Sequence, residues 1–336
     1  MVKTSKLNST AYLLFFLTVT LSLPISADAE QKPIRMRVSH QLPSTHHLAR
    51  LLEEWAARIE DGTGGAIDVQ LFPSNQAFKV ADNYPAVARG FIEAALTVSF
   101  QWCRTLPEMC VLARPYAFPD VKILRRFPRS ALAQELSRML ESKGIHNLGW
   151  LSVNRTTVIT SNQKLLIKPA DFRGIKIRGV NKLFDQALIA LGAAPSAIPG
   201  GELYLSLQTG ILDAGLTDIN NAYDYKYYEV QKYAVATPLF LIFEHIYVNP
   251  TWWKSLDQNS RLVIEQATRL LESEAIDKVI DISAKAPQRL RDKGMIVHEH
   301  TADEIEAMRK IMQPAFDRAF FSRTNTDINN YFKLLE

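Results

Sequence analysis

Cysteine is scarce in this sequence, and neither sign of charge is in strong excess. Only two of the 336 residues are cysteines, Cys103 and Cys110, and a zinc site would need further ligands near them, none of which is visible. The 39 lysines and arginines exceed the 35 acidic residues by a formal charge of only +4, with no run of basic residues behind it. A nucleic-acid partner is therefore not expected.

The catalytic motifs that a single sequence can be tested for are also missing. There is no glycine-rich dinucleotide or phosphate-binding motif, no H-E-x-x-H zinc motif and no G-x-S-x-G nucleophile motif. The triplet His298-Glu299-His300 suggests metal ligands, but a solvated loop is the favoured interpretation because no third ligand lies nearby. We expect no catalysis, no cofactor and no metal.

Long apolar runs are absent except near the N-terminus. Two lysines precede Ala11–Leu23, a run of 13 uncharged residues, and Ser26–Ala29 supplies an ending of small residues. This order is typical of a cleaved secretory signal. An uncleaved anchor is the alternative, but the run is shorter than the ~20 residues that span a bilayer. We predict that residues 1–29 are a signal peptide and that the product is soluble in the periplasm.

The rest of the chain has the composition of a soluble globular protein, with 47% hydrophobic and 22% charged residues. Its length exceeds what one hydrophobic core usually supports, which favours two lobes. Export exposes the two cysteines to an oxidising compartment. Spacing alone leaves two interpretations open for Cys103 and Cys110, a local disulfide or two small buried hydrophobic residues.

Periodicity in the first part of the chain predicts a βαβαβ unit, which is typical of a mostly parallel sheet. Strands are predicted at 34–39, 67–72 and 94–98, and a helix is predicted around Tyr84–Arg89. The first helix should begin at a Ser44 cap, and its apolar stripe is Leu48, Leu51, Leu52, Trp55 and Ile59.

The later part repeats the pattern, with strands predicted at 148–151, 158–161, 175–178, 194–198 and 212–216 and short helices at 184–191 and 202–208. One long strand is predicted at 240–248, then helices at 260–291 and from 301 to about 318. Without a flexible linker, several chain crossings should join the lobes. We predict an α/β fold of two lobes with mixed sheets, flanking helices and a hinged cleft, lobe I being 30–152 and 244–285 and lobe II 153–243 and 286–336.

Arg178 stands at the carboxyl end of the strand predicted at 175–178, just before Gly179. In open α/β sheets this position borders the ligand crevice. A guanidinium has a planar pair of donors that matches a carboxylate. An arginine paired with an acid on a surface loop remains the alternative.

A long central motif carries a resemblance to a known family. The run DFRGIKIR, then LGAAPSAIPGGELYLSLQTGILDAG and YYEVQKYAVATP, resembles the substrate-binding proteins of tripartite ATP-independent periplasmic (TRAP) transporters. The segments SHQLPSTHHLARLLEEWAARIEDGTGGAIDVQLFPSNQ, ARGFIEAAL and LARPYAFPD agree in order and spacing, so the resemblance covers nearly the whole mature chain.

The resemblance implies capture of a small organic acid and its delivery to the integral-membrane subunits of a TRAP permease. A binding protein for an ATP-driven importer or a sensor kinase is one alternative, and a periplasmic enzyme is another. By resemblance, Arg178 binds the substrate carboxylate and Arg155 is a second arginine of the pocket. Thr217 occupies a place where many relatives have a ligand-contacting asparagine, and Gly200 or Gly201 replaces a larger residue. Both changes predict a pocket of different shape.

Further candidates come from loops that should face the cleft. The first βα loop offers Gln41 and His46, and the exit of the third strand offers Gln101 and Trp102. Trp102 either stacks on a ligand or is simply packed. Asn220 follows Thr217 and is expected to supply a compensating hydrogen bond.

Overall fold

A computed structural model describes residues 32–118, 120–198 and 200–335. The predicted signal peptide, residues 1–29, lies outside the described residues. Within that part of the chain, no helix is both long enough and apolar enough to cross a membrane.

Eleven β-strands are found among the described residues: β1 Ile34–His40, β2 Ile67–Phe72, β3 Ala94–Val98, β4 His146–Ser152, β5 Thr157–Ser161, β6 Lys176–Arg178, β7 Ala194–Ser196, β8 Ala214–Asp218, β9 Tyr233–Thr237, β10 Phe243–Val248 and β11 Ile296–Glu299. The same residues form the α-helices α1 His47–Gly62, α2 Val80–Ala88, α3 Val121–Arg126, α4 Ala131–Glu141, α5 Asp185–Ala190, α6 Leu203–Gln208, α7 Ile219–Asp224, α8 Pro250–Ser255, α9 Gln258–Asp292, α10 Ala302–Thr324 and α11 Asn329–Phe332.

The strands form two mixed sheets. The first sheet has the order β2-β1-β3-β10-β4, in which β1 is parallel to β2 and β3 and β10 is antiparallel to both its neighbours. The second sheet has the order β11-β9-β5-β8-β6-β7, with β5 antiparallel to β8 and β9. The predicted α/β fold with two mixed sheets flanked by helices is confirmed.

Helix α1 packs on the first sheet through its predicted apolar stripe, of which Leu48, Leu52, Trp55 and Ile59 are fully buried. The Trp55 indole Nε1 donates to Thr268 Oγ1 over 3.1 Å, which ties α1 to α9. The predicted Ser44 cap is wrong. His46 is the N-cap, because its Nδ1 accepts a hydrogen bond from the Leu48 amide at 3.2 Å.

The chain crosses between the sheets at residues 153–156, at residues 238–242 and along α9. The predicted strand at 240–248 is wrong in its first three residues, because β10 begins at Phe243. The amide of Ile242 instead donates to Asn154 Oδ1, and the amide of Val153 donates to the Ile242 carbonyl at 2.9 Å. Two crossings are therefore bonded side by side, and the buried Asn154 links them.

Cys103 and Cys110 form a disulfide, with their Cα atoms 5.2 Å apart. The bond joins two short 3₁₀ helices, Ser99–Arg104 and Pro107–Ala113, that directly follow β3. Of the two interpretations that the spacing left open, the structure selects the disulfide.

Candidate functional site

The carboxyl ends of one strand from each sheet lie close together, where the sequence predicts the cleft. Strand β3 of the first sheet ends at Val98 and β6 of the second sheet ends at Arg178. The segments after these strands touch, because Asn181 Nδ2 lies 4.0 Å from Cys103 Sγ. The crossings at 153–156 and 238–242 join strand ends of the first sheet to strand ends of the second sheet. Carboxyl ends of strands at such a place are the usual position of a ligand site.

Arg178 is held in this cleft by backbone carbonyl groups. Its Nε donates to the Ile198 carbonyl at 3.0 Å and its Nη1 donates to the Leu216 carbonyl at 3.1 Å. Gly200 lies beside the third nitrogen, since a Cβ atom placed there would be in van der Waals contact with Nη2 at 3.5 Å. Burial lowers the pKa of Arg178, although a guanidinium remains charged at neutral pH.

The charge of Arg178 has no counter-ion in the part of the chain that the structure describes. No carboxylate oxygen there lies within 4.0 Å of its guanidinium, and the neighbouring groups are the hydroxyls of Tyr225 and Tyr227. The alternative of an arginine paired with an acid on a surface loop is therefore wrong. Two of its five N–H groups are used, and the Nη2 amino group is available to an anion.

Thr217 and Asn220 follow Leu216, whose carbonyl accepts a hydrogen bond from Arg178. Thr217 is buried on β8, one residue beyond the carbonyl that Arg178 binds. Asn220 is buried in α7, and among the described residues neither atom of its side-chain amide has a hydrogen-bond partner. Asp218 caps α7 by accepting from the Asn220 and Asn221 amides, and burial raises its pKa to about 7.

Arg155 lies in the first crossing, beside the buried Asn154. Its side chain is exposed, and among the described residues it forms no ion pair or hydrogen bond. The structure therefore places a second guanidinium on a segment that joins the two sheets.

The candidates from the first sheet have different surroundings. Gln41 is half-buried, and its Nε2 donates to Glu244 Oε1 at 3.0 Å. His46 caps α1 and stacks on His47 at 4.3 Å, and burial lowers its pKa to about 4. Its imidazole is therefore neutral at neutral pH.

The two candidate residues after β3 differ in their exposure to solvent. Gln101 is exposed on the 3₁₀ helix. Trp102 is only 4% exposed and packs against Tyr84 at 4.5 Å and His245 at 5.7 Å between ring centroids. Trp102 is therefore packed in the protein interior, which was the second of the two interpretations given above, and no indole face is open to a ligand.

Glu244 was not predicted from the sequence. It is 2% exposed on β10, and burial raises the pKa of its carboxyl to about 7. The signal was present as a single acid inside the apolar run FLIFEHIYV.

No group of three or more His, Cys, Asp or Glu side chains in the described ranges is arranged to hold a metal ion. The triplet His298-Glu299-His300 is part of ordinary local structure. His298 Nε2 pairs with Glu304 Oε2 at 2.8 Å, and His300 Nδ1 contacts Thr237 Oγ1 at 3.0 Å.

Two mixed sheets joined by three chain crossings, with a partly buried arginine at a strand end that no described acid pairs, are the features expected of a solute-binding protein. The family model described as bacterial extracellular solute-binding protein, family 7, matches residues 38–323. The chain belongs to this family. The resemblance to TRAP solute-binding proteins, inferred above from the central motif, is confirmed.

Two named relatives match most of the chain. The C4-dicarboxylate-binding periplasmic protein DctP of Rhodobacter capsulatus is 28% identical over 300 residues, 88% of this chain and 90% of that protein. The 2,3-diketo-L-gulonate-binding periplasmic protein YiaO of Escherichia coli is 27% identical over 69% of this chain and 70% of its own length.

Solved structures show the same fold. A TRAP periplasmic solute-binding protein from Desulfovibrio salexigens, with bound orotic acid, superposes with a TM-score of 0.82 at 24% identity, covering 90% of this chain and 97% of that one. One from Chromohalobacter salexigens, with bound D-glucuronate, gives a TM-score of 0.81 at 20% identity, covering 89% and 98%.

Proposed function

We propose that this protein captures a small organic acid between its lobes, with Arg178 as the anchor for the carboxylate, and delivers it to a TRAP permease. The observation that carries this proposal is the partly buried guanidinium of Arg178, which two carbonyl groups orient and no described acid neutralises. A buried charge without a partner is costly, so an anionic ligand supplies what the fold lacks.

The named ligands of the relatives support the chemical class. C4-dicarboxylates, 2,3-diketo-L-gulonate, orotic acid and D-glucuronate, which are named for four of these proteins, all carry a carboxylate. In this chain Arg155, Thr217 and Gln41 assist Arg178. Ligand binding is the whole activity of the protein, without catalysis.

The distribution of strands supports the division into lobes. Lobe I, residues 30–152 and 244–285, contains the first sheet apart from Phe243, and lobe II, residues 153–243 and 286–336, contains the second sheet. Closure of the lobes encloses the ligand. Export through a cleaved signal at residues 1–29 places the protein in the periplasm.

The test replaces Arg178 and measures binding by calorimetry, after a thermal-shift screen of carboxylates has identified a ligand. Arg178→Ala should weaken binding by about 2–5 kcal/mol, or at least about 30-fold, because the bound carboxylate loses its charge partner. Lys176→Ala is the matched control, since Lys176 lies on the same strand with an exposed side chain. Equal affinity of Arg178→Ala and wild type would disprove the anchor.

A further inference from the structure

Glu244 lies at the cleft end of the first sheet. The register of β10 places it opposite Val98, the last residue of β3, and opposite Leu151 of β4. Strand β10 begins one residue earlier, directly after the crossing at 238–242. Glu244 is therefore on the edge of the first sheet that faces the second sheet.

The Glu244 carboxyl is an acceptor in surroundings that supply only one donor. Its Oε1 accepts from Gln41 Nε2 at 3.0 Å, while its Oε2 is buried and has no hydrogen-bond partner among the described residues. The strand neighbours Val98 and Leu151 are apolar and offer no side-chain donor. Among the residues that the structure describes, no lysine or arginine pairs with Glu244.

This contact fixes the orientation of the Gln41 amide. In this hydrogen bond the Gln41 amino group donates to Glu244 Oε1, which leaves the carbonyl oxygen of the amide as the unused acceptor. Gln41 is only half-buried and directly follows β1, so its side chain is partly accessible at the end of the first sheet where the proposed ligand binds.

The two histidines nearest to Gln41 in the sequence carry no positive charge at neutral pH. Burial lowers the pKa of both His40 and His46 to about 4, so neither imidazole is a cation at neutral pH. A second carboxylate placed here would meet the Glu244 carboxyl and the Gln41 carbonyl without a compensating cation. A hydroxyl or N–H group would instead satisfy an acceptor that the fold leaves open.

We propose that the ligand is a monocarboxylate whose other end carries a hydrogen-bond donor, a hydroxyl or an amide N–H, which Gln41 Oε1 accepts while Glu244 holds the Gln41 amide in place. This inference rests on the proposed function, because Arg178 must bind the single carboxylate. Gln41 determines specificity by contact, and Glu244 is a positioning residue that acts through it.

Two pairs of compounds test the inference by calorimetry. 4-Hydroxybutyrate and succinate share one carbon chain length, and D-gluconate and D-glucarate share another, so each pair exchanges a hydroxyl end for a second carboxylate. The wild-type protein should bind the hydroxyl member of a pair at least about 10-fold more tightly, since sites built around hydrogen bonds reject ligands that leave polar groups unpaired. Tighter binding of the dicarboxylate member would overturn the inference.

Three variants distinguish a role in ligand specificity from a role in folding. Gln41→Leu and Glu244→Leu should each reduce the preference for the hydroxyl member by about 10-fold, whereas Glu244→Gln should retain most of it because its carbonyl oxygen still accepts from Gln41. The matched control is Gln70→Leu, which removes a similar amide–carboxylate contact, to Asp68 on β2.

The measured quantity is the ratio of the two dissociation constants, which a merely structural role would not change. An unchanged ratio in folded Gln41→Leu protein would overturn the contact, and an unchanged ratio in Glu244→Leu would overturn the positioning role. Dicarboxylate preference that still depends on Arg178 would refute this inference alone. If the wild-type protein bound none of the four compounds and no acid in the thermal-shift screen of carboxylates, the organic-acid function would fall with it.

Discussion

Glu272 allows a quantitative test of the electrostatics of the long helix α9. It is 9% exposed, and its Oε1 accepts a hydrogen bond from the Trp150 amide at 2.8 Å. Burial raises the pKa of this carboxyl to about 7, although Arg129 and Arg269 oppose the rise. The native protein therefore retains a proton at pH values where the unfolded chain has lost it.

The sign of the effect follows from proton binding. Below about pH 4 the carboxyl is protonated in both states and does not change the free energy of unfolding with pH. Between about pH 4.5 and pH 7 the native state binds more protons, so the free energy of unfolding falls as the pH rises. Above pH 7 the penalty is complete, and a pKa difference of ~2 units corresponds to about 3 kcal/mol.

The test is Glu272→Gln, which keeps an acceptor for the Trp150 amide and removes the ionisable group. The stability of the variant relative to wild type should rise by about 2–3 kcal/mol between pH 4 and pH 8. Urea denaturation at a series of pH values measures this difference. The buried Asp218 and Glu244 are common to both proteins, so their contributions cancel.

Glu265→Gln is the control, because Glu265 lies on the same helix and its side chain is 43% exposed in an ion pair with Arg269. Its stability difference from wild type should be nearly independent of pH, since an exposed pair contributes at most about 1 kcal/mol. The reasoning would be refuted if Glu272→Gln lost stability relative to wild type as the pH rises. That result would mean that Glu272 is ionised in the native protein.

Two further predictions concern packing and the cross-link. Replacing Cys103 and Cys110 by serine opens a loop with a sequence separation of 7 and should lower the free energy of unfolding by about 2–3 kcal/mol, measured by urea denaturation; equal stability of oxidised wild type and variant would contradict this. Gly149→Ala would place a Cβ atom 2.5 Å from Thr268 Cγ2 and 2.9 Å from Glu272 Oε1, so a loss of about 1–3 kcal/mol is expected in thermal unfolding. An unchanged melting temperature would show that α9 adjusts freely over β4.

Local patterns predicted the elements whose boundaries are set by turns. Strands β2 and β3 have the predicted bounds, because apolar residues alternate or run together between glycine or proline turns. The start of β10 could not be predicted in this way. An apolar run is compatible with a strand and with a buried crossing, and the difference here lies in the hydrogen bond from Ile242 to Asn154, 88 residues away in the chain.

In the candidate site, too, features that depend on neighbouring residues in the sequence could be predicted, and contacts between distant residues could not. Arg178 could be proposed because the end of a parallel strand is recognisable in sequence, whereas its lack of a described counter-ion needed the structure. Glu244 was missed because its partner Gln41 is 203 residues away. Trp102 could not be assigned, because its packing depends on Tyr84 and His245 from two other elements.

Helix α9 restricts how the cleft can open. Its 35 residues extend for about 50 Å. Ile264, Ala267 and Leu271 pack in the core of the first sheet, whereas Ala286 and Leu290 pack in the core of the second. The separation of the lobes that we propose must therefore bend this helix or slide it over one sheet, and the hydrogen bonds and packing of a continuous helix resist both. The release of a ligand is then opposed by the stiffness of an element that never touches the ligand.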